Sequence, residues 1–213
     1  MKAVVIHSGG MDSSICLALA IGEYGKDHVL SLSFSYGQRH QSELAAAKKI
    51  ADNWGVAHEV IPLDFYRRLT RNALIDDTQA IARGNTLVVG RNGLLARLGA
   101  IFAHSHGAQV IYMGVMGLEE ANSGYRDCTR EYMDLQEKIL RIDLDDPEFE
   151  IRTPLVAMTK VQTLAVAEDL GVLQQLLDWT ITCYEGFSGK GCGVCPACML
   201  RNEGVRQHSL NRS

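Results

Sequence analysis

The chain has 213 residues, enough for one large domain or a domain with an appendage. Hydrophobic residues make up 46% and charged residues 22%, an ordinary globular balance, and the formal net charge of -4 argues against a non-specific nucleic-acid binder, which carries a basic excess. No apolar run is long enough to span a membrane, and Met1-Lys2 leads into a strand-like run without a signal-peptide pattern, so a cytoplasmic protein with no membrane partner is expected.

Taken in chain order, residues 2–6 read as a buried strand and residues 12–23 as a helix, with Ile15, Leu19 and Gly22 at helical spacing. A second strand is predicted over 28–34, a loop over 36–40, and a helix over 42–54 that Gly55 ends as a C-cap residue. Residues 57–61 form a third strand, and 66–85 are polar and irregular. A helix over 91–105 ends near Gly107, followed by a strand over 109–115, a helix over 131–141, a short strand over 150–153 and a helix over 159–170 stopped by Gly171. Strands alternating with helices predict a doubly wound, mostly parallel five-stranded α/β sheet covered on both faces. The division expected is an α/β domain over 1–172 and a C-terminal segment over 173–213, rich in cysteine, packed on it.

In such sheets ligands bind beyond the carboxyl ends of the strands. Three polar, glycine-bearing segments fall there: 7–14, 36–40 and 114–128. The first reads His7-Ser8-Gly9-Gly10-Met11-Asp12-Ser13-Ser14. A glycine pair after a strand lets backbone N–H groups approach an anion, and the following helix adds its positive end. Ser8, Ser13 and Ser14 add hydroxyl donors, so the loop suits phosphate without a lysine. Gly10 is expected to hold an unusual backbone angle and leave space for phosphate. Neither the dinucleotide fingerprint nor the Walker pattern fits. Asp12 is either a helix cap or an indirect holder of Mg²⁺.

Six cysteines in an intracellular chain suggest metal or catalysis rather than disulfides. Cys183, Cys192, Cys195 and Cys198 have the spacing C-x8-C-x2-C-x2-C. Four local thiolates close a tetrahedral zinc shell with no open position, so a structural Zn²⁺ is the reading, with an iron–sulfur cluster as its rival. Cys16 and Cys128 read as buried small residues, and His7, His40 and His58 receive no catalytic role.

The pattern Ser-Gly-Gly-x-Asp-Ser over residues 8–13 resembles the loop of the ATP pyrophosphatase superfamily. That resemblance implies a Rossmann-like HUP sheet, and ATP cleaved between its α and β phosphates with AMP transferred to a substrate oxygen. With Tyr36-Gly37-Gln38-Arg39-His40, Gly90-Arg91-Asn92, Ser123-Gly124-Tyr125, Asp127-Cys128, Thr153-Pro154-Leu155, Thr159-Lys160 and the four-cysteine ending, the chain resembles the 7-cyano-7-deazaguanine synthases of the queuosine-precursor pathway.

The resemblance implies an ATP-dependent carbon–nitrogen ligase that adenylates 7-carboxy-7-deazaguanine. Ammonia then displaces AMP to give an amide, and a second activation dehydrates it to the nitrile. It places ATP on Ser8, Gly9, Gly10, Met11, Asp12, Ser13 and Ser14, and the base on Tyr36, Gln38, Tyr125 and Asp127. Asp127 would accept from the guanine-like N–H groups. Lys160 would neutralise phosphate charge or stand as an exposed helix lysine. Arg91 would hold substrate or phosphate, or pair with a structural carboxylate. The implied partners are a small-molecule base and ammonia, with a homodimer as the default.

Departures cluster on the substrate side: Ser35 where the family has an acid, Val89 for its proline, Arg126 for a proline, Thr129 for an arginine, a longer spacer over 116–122 and a short segment over 67–86. A ligase that stops at the amide, one using another amine or acid, and a tRNA-modifying ATP pyrophosphatase therefore stay open, as does a zinc-ribbon binding module without catalysis.

Overall fold

The computed structural model describes residues 1–37, 41–69, 88–118 and 125–211. Among these residues five strands lie in one sheet: β1 Ala3–Ile6, β2 Val29–Ser35, β3 Ala57–Pro62, β4 Val110–Met113 and β5 Glu150–Arg152, in the order β3-β2-β1-β4-β5. Every pairing among them is parallel, with Val4 opposite Leu30 on one side and Ile111 on the other. Seven α-helices accompany them among the described residues: α1 Met11–Tyr24, α2 Ser42–Trp54, α3 Arg91–Ser105, α4 Arg130–Asp143, α5 Lys160–Asp169, α6 Leu173–Trp179 and α7 Pro196–Leu210.

The continuous apolar runs of the inner strands follow from a sheet covered on both faces. Side chains alternate along a strand, so Val4 and Ile6 of β1 face one core while Ala3 and Val5 face the other. The first core is completed by α3 and α4 through Ala96, Ala100, Met133 and Leu140. The second is completed by α1, α2, α5 and α6 through Ile15, Ile50, Leu164 and Leu176. This is the doubly wound arrangement expected. The chain winds outward from β1 to β3 and then crosses to β4, so strand order reverses between β1 and β4. A crevice opens at that reversal, beyond the strands' carboxyl ends.

Two close approaches shape the crevice. A Cβ built on Gly114, just after β4, would lie 2.6 Å from the backbone N of Ser13 and 2.8 Å from the carbonyl carbon of Asp12. The end of β4 therefore presses directly on the first turn of α1. A Cβ on Gly99 of α3 would lie 2.4 Å from Ile6 Cδ1, which seats α3 on β1.

The outer edge of β5 is closed by side chains of α4. Ile151 N–H donates to Glu137 Oε2 at 2.7 Å, Arg130 donates to the Ile151 carbonyl at 2.8 Å, and Arg141 Nε donates to the Phe149 carbonyl at 2.8 Å.

Differences from the sequence reading are local. β4 stops at Met113 rather than 115, because the chain must leave the sheet to make the Gly114 contact. Helices α6 and α7 fall in the segment read only as a metal-binding tail. α7 begins with Cys195 as N-cap, its sulfur accepting from Cys198 N–H, and Pro196 in the first turn. No described helix is long and apolar enough to cross a membrane.

The two glycine environments yield opposite expectations. Gly22, inside α1 with nothing within 4 Å of a Cβ, should gain about 0.5–1 kcal/mol of stability on Gly22→Ala. Gly114→Ala should lose about 1–3 kcal/mol by overpacking against backbone. Urea unfolding of both variants checks the pair.

Candidate active site

The loop after β1 is built around Gly9. Its φ is +83°, and a Cβ there would lie 2.0 Å from the Glu43 carbonyl oxygen and 2.8 Å from Ala47 N, both backbone of α2. Only glycine fits such a position. Gly10, in contrast, has φ -79° and ψ 164°, an extended conformation any residue adopts, though a Cβ there would lie 3.3 Å from Ser8 Oγ. The unusual angle expected at Gly10 therefore falls on Gly9, where the loop is squeezed against α2.

The loop hydroxyls bind one another. Ser8 N–H donates to Ser13 Oγ at 3.2 Å, Gly10 N–H to Ser8 Oγ at 3.3 Å, and Ser13 Oγ to the Gly10 carbonyl at 3.1 Å. Ser8 and Ser13 line a cavity of about 240 Å³ with Phe34, Tyr36, Glu43, Arg91 and others. Met11 packs into the core and offers a ligand only its backbone. Ser14 is fully buried and turned inward. Its hydroxyl donates to the Gly10 carbonyl at 2.8 Å and so accepts from His7 Nε2–H at 3.0 Å.

His7 thus has partners that no local pattern reveals. With Nε2 donating, its Nδ1 accepts from Ser31 Oγ at 2.8 Å, and that oxygen accepts from His58 Nδ1 at 2.8 Å. Ser33 Oγ donates to the His7 carbonyl at 2.5 Å. The signal was Ser31 and Ser33 inside an otherwise apolar strand. Burial, with His58 adjacent, holds His7 down at about 3. It is a neutral brace under the loop.

Asp12 and Lys160 meet across the crevice. Lys160 Nζ donates to both Asp12 oxygens, at 2.7 and 2.8 Å. Lys160 opens α5, where Thr159 and Gln162 form a capping box. Its side chain is only 12% exposed, so the exposed-lysine alternative fails, and Asp12 does not cap α1, whose cap Gly10 has no side-chain bond. Both residues line a second cavity of about 210 Å³ with Arg91, Asn92, Thr182 and Tyr184.

Arg91 stands at the start of α3 and reaches both cavities. It donates to Tyr36 Oη at 3.4 Å. Burial opposes its charge, but Tyr36, Glu43, Tyr184 and Asp127 around it outweigh that and hold its pKa above the ordinary value. Glu43, missed in the sequence, sits in the first turn of α2 after the 36–40 loop. Burial raises its carboxyl to about 7, with Arg91 pulling the other way. Tyr125 lines both cavities. Asp127 is buried in a 3₁₀ turn and its Oδ2 accepts from Asn92 N–H at 3.2 Å, so part of its accepting capacity anchors α3. Asn92, Tyr125 and Cys128, rather than Asp127, are the residues there that face the second cavity. Burial, then Asp127, pushes the Cys128 thiol up to about 11, and burial raises Cys16 as well, as suits inert small residues. Gln38, His40, Ser123 and Gly124 lie outside the described residues, as does most of the 116–122 spacer and of 67–86.

Tyr184 and Thr182 come from the C-terminal segment, which Ile181 N–H ties to the Gly9 carbonyl at 3.1 Å. Immediately beyond, the sulfurs of Cys183, Cys192, Cys195 and Cys198 all lie within 4.8 Å of one another. Backbone N–H groups of Glu185 and Cys192 point at Cys183 Sγ at 3.4 and 3.3 Å, and those of Cys195 and Cys198 at Cys192 and Cys195 Sγ at 3.3 and 3.4 Å. Such donors stabilise thiolates. Gly191, at φ +65°, makes room for the quartet, since a Cβ would lie 2.2 Å from Cys198 Sγ. Four converging thiols without a disulfide fit a metal.

A family model described as queuosine biosynthesis protein QueC matches residues 2–209. Among solved structures, the chain is similar to NMN synthetase from Francisella tularensis, with 17% identity, 100% of this chain and 87% of that one covered, and a TM-score of 0.51. It is also similar to the U34-tRNA thiolase NcsA from Methanococcus maripaludis, solved with its 4Fe–4S cluster, with 19% identity, 81% of this chain and 57% of that one covered, and a TM-score of 0.50. At these identities the likeness shows a shared fold.

Two outcomes are expected of this geometry. His7 keeps its proton off in the native state down to about pH 3, whereas an unfolded histidine takes it up near about 6.5. The unfolded chain then binds more protons between those values, so the contribution of His7 to stability is complete above about 6.5 and is lost as pH falls toward about 3. Urea unfolding across that window should show a shallower acid loss in His7→Gln than in the wild type. If the quartet holds a metal, elemental analysis of purified material should find it in the wild type and not in Cys195→Ser, and the variant should lose much of its soluble yield, because metal binding at such a site is partly folding energy.

Proposed function

The chain belongs to the family of the queuosine biosynthesis protein QueC, the 7-cyano-7-deazaguanine synthases, and is an ATP-dependent enzyme; on that premise we propose that it makes 7-cyano-7-deazaguanine from 7-carboxy-7-deazaguanine and ammonia. The observation that carries this reading is the convergence of the Gly9–Gly10 loop, the Asp12–Lys160 pair and Arg91 on two cavities at the strand reversal.

A carboxylate is a poor electrophile, so its oxygen first attacks the α-phosphorus of ATP. The bond to the bridging oxygen breaks and pyrophosphate leaves with the electron pair. Ser8, Ser13 and the first turn of α1 hold that leaving anion, since the hydroxyls now closed on one another would turn outward to phosphate oxygens. Lys160 offsets charge gathering at the α-phosphate. Arg91 and Asn92 face the acid, with Tyr36, Tyr125 and Tyr184 supplying flat walls for a purine-like ring. Ammonia then attacks the acyl carbon and AMP leaves, giving the amide. A second adenylation on the amide oxygen lets that oxygen leave with AMP as the C≡N bond forms and two protons depart.

Mg²⁺ would accompany the ATP phosphates and spread their charge. Asp12 is the acid that would face it, and a single carboxylate suits an ion keeping water and phosphate as its other ligands. The sulfur quartet fits a closed tetrahedral zinc, which would staple the segment bearing Thr182 and Tyr184 against the loop. The likeness to a thiolase that holds a 4Fe–4S cluster makes iron the alternative content, and elemental analysis separates the two.

Incubating the enzyme with the carboxy base, ATP, Mg²⁺ and ¹⁵N-ammonium should release AMP and pyrophosphate in equal amounts and place ¹⁵N in the base, first as amide and then as nitrile. Mass spectrometry reads this directly. ADP and phosphate as products, or an unlabelled base, would refute the reading, and label confined to the amide would identify an amide-forming ligase.

A further inference from the structure

Lys160 is held from behind by a helix that comes from the other side of the cysteine quartet. A Cβ built on Gly204, in the middle of α7, would lie 2.6 Å from Lys160 Cγ and 3.1 Å from Lys160 Cβ, but an ordinary 3.5 Å from Leu164 Cδ1. Glycine is the poorest helix former after proline, so its place in a helix interior calls for a physical reason. Here the reason is the stem of one lysine. α7 is fixed independently of this contact: Cys195 caps its start, Arg201 donates to the Leu177 carbonyl at 2.8 Å, and His208 bonds Glu168 of α5 at 3.0 Å. The helix therefore forms a stationary wall, and the missing side chain at 204 is the slot through which Lys160 passes on its way to Asp12.

We propose that Gly204 is a positioning residue for the reaction, setting the rotamer of Lys160 so that its ammonium reaches Asp12 and the phosphate loop. This rests on the reading of Lys160 as the cation of the ATP site. The clash distances fall on the root of the side chain, not its tip. A methyl at 204 cannot be avoided by bending Nζ away. Lys160 must turn about its first bond, and that carries the ammonium out of the crevice. Leu164 stays at an ordinary distance, and the 3.1 Å approach to Lys160 Cβ is relieved by a shift of a few tenths of an ångström, so the fold has a way to accept the methyl that the catalytic pair does not.

The test uses Gly204→Ala, Lys160→Ala and the double variant, each with thermal unfolding and with pyrophosphate release from ATP, carboxy base and ammonium, corrected to folded enzyme. Gly204→Ala should remain folded and lose about 10²-fold in kcat, the scale of an ångström-sized misplacement, with KM for the base near wild type. Adding Gly204→Ala to Lys160→Ala should cost no further activity, and should lower the melting temperature less than Gly204→Ala lowers that of the wild type, because truncating the lysine removes the 2.6 Å clash with Cγ and leaves only the 3.1 Å approach to Cβ. Wild-type kcat in folded Gly204→Ala would overturn the proposal, as would equal losses from Gly204→Ala in both backgrounds. If Gly204→Ala alone fails to fold, a folded double variant supports the clash with Lys160, and an unfolded one overturns it. The melting arm needs no assumption about the reaction. A wild-type enzyme that releases no pyrophosphate overturns the ligase reading and the catalytic role with it, whereas a productive wild type with an unaffected Gly204→Ala overturns the positioning role alone.

Discussion

The ion pair between Asp12 and Lys160 joins two residues 148 positions apart, and the site takes its shape from that closure. Removing both charges largely from water costs free energy that their attraction roughly returns, so the pair adds little to stability. Its effect is geometric. It draws the start of α5 to the start of α1, directly beneath the turn where Gly114 presses on Ser13. Once those three chain segments meet, the crevice has a cationic side, an anionic side and a floor of backbone.

The loop's hydroxyls add a second constraint. Ser8 and Ser13 bind each other and the loop backbone, while Ser14 and His7 brace it from below. In the proposed reaction the upper layer would exchange its partners for a phosphate oxygen, whereas the lower layer cannot move without breaking the His7–Ser31–His58 chain. A rigid base under an exchangeable surface is what a site preorganised for a leaving anion requires.

Much of this was legible in the sequence because it is local. The glycine loop, the helices that begin at Ser42 and Arg91, and the cysteine spacing each declare themselves within a single short stretch of chain. What could not be read depends on distant segments meeting. Which of the two glycines carries the positive φ is decided by α2 packing on Gly9. The partner of Lys160 is decided by a helix-to-helix approach. Glu43 and Tyr184 look like ordinary loop-adjacent residues until the sheet brings them to Arg91. Helix α7 is not evident locally because Gly204 lowers its helix propensity and its first turn overlaps the cysteine spacing. Pro196 just behind Cys195 was its one local signal.

The capped margin of β5 bears on how copies of this chain can associate. Its outward N–H at Ile151 and its outward carbonyls at Phe149 and Ile151 already have partners in Glu137, Arg141 and Arg130. A foreign strand arriving there would have to displace three charge-assisted hydrogen bonds before forming any of its own. Sheet-to-sheet continuation is therefore blocked on the β5 side. Any extension by strand addition is left to the β3 margin, where Val60 is exposed, or association must proceed through helical surfaces instead.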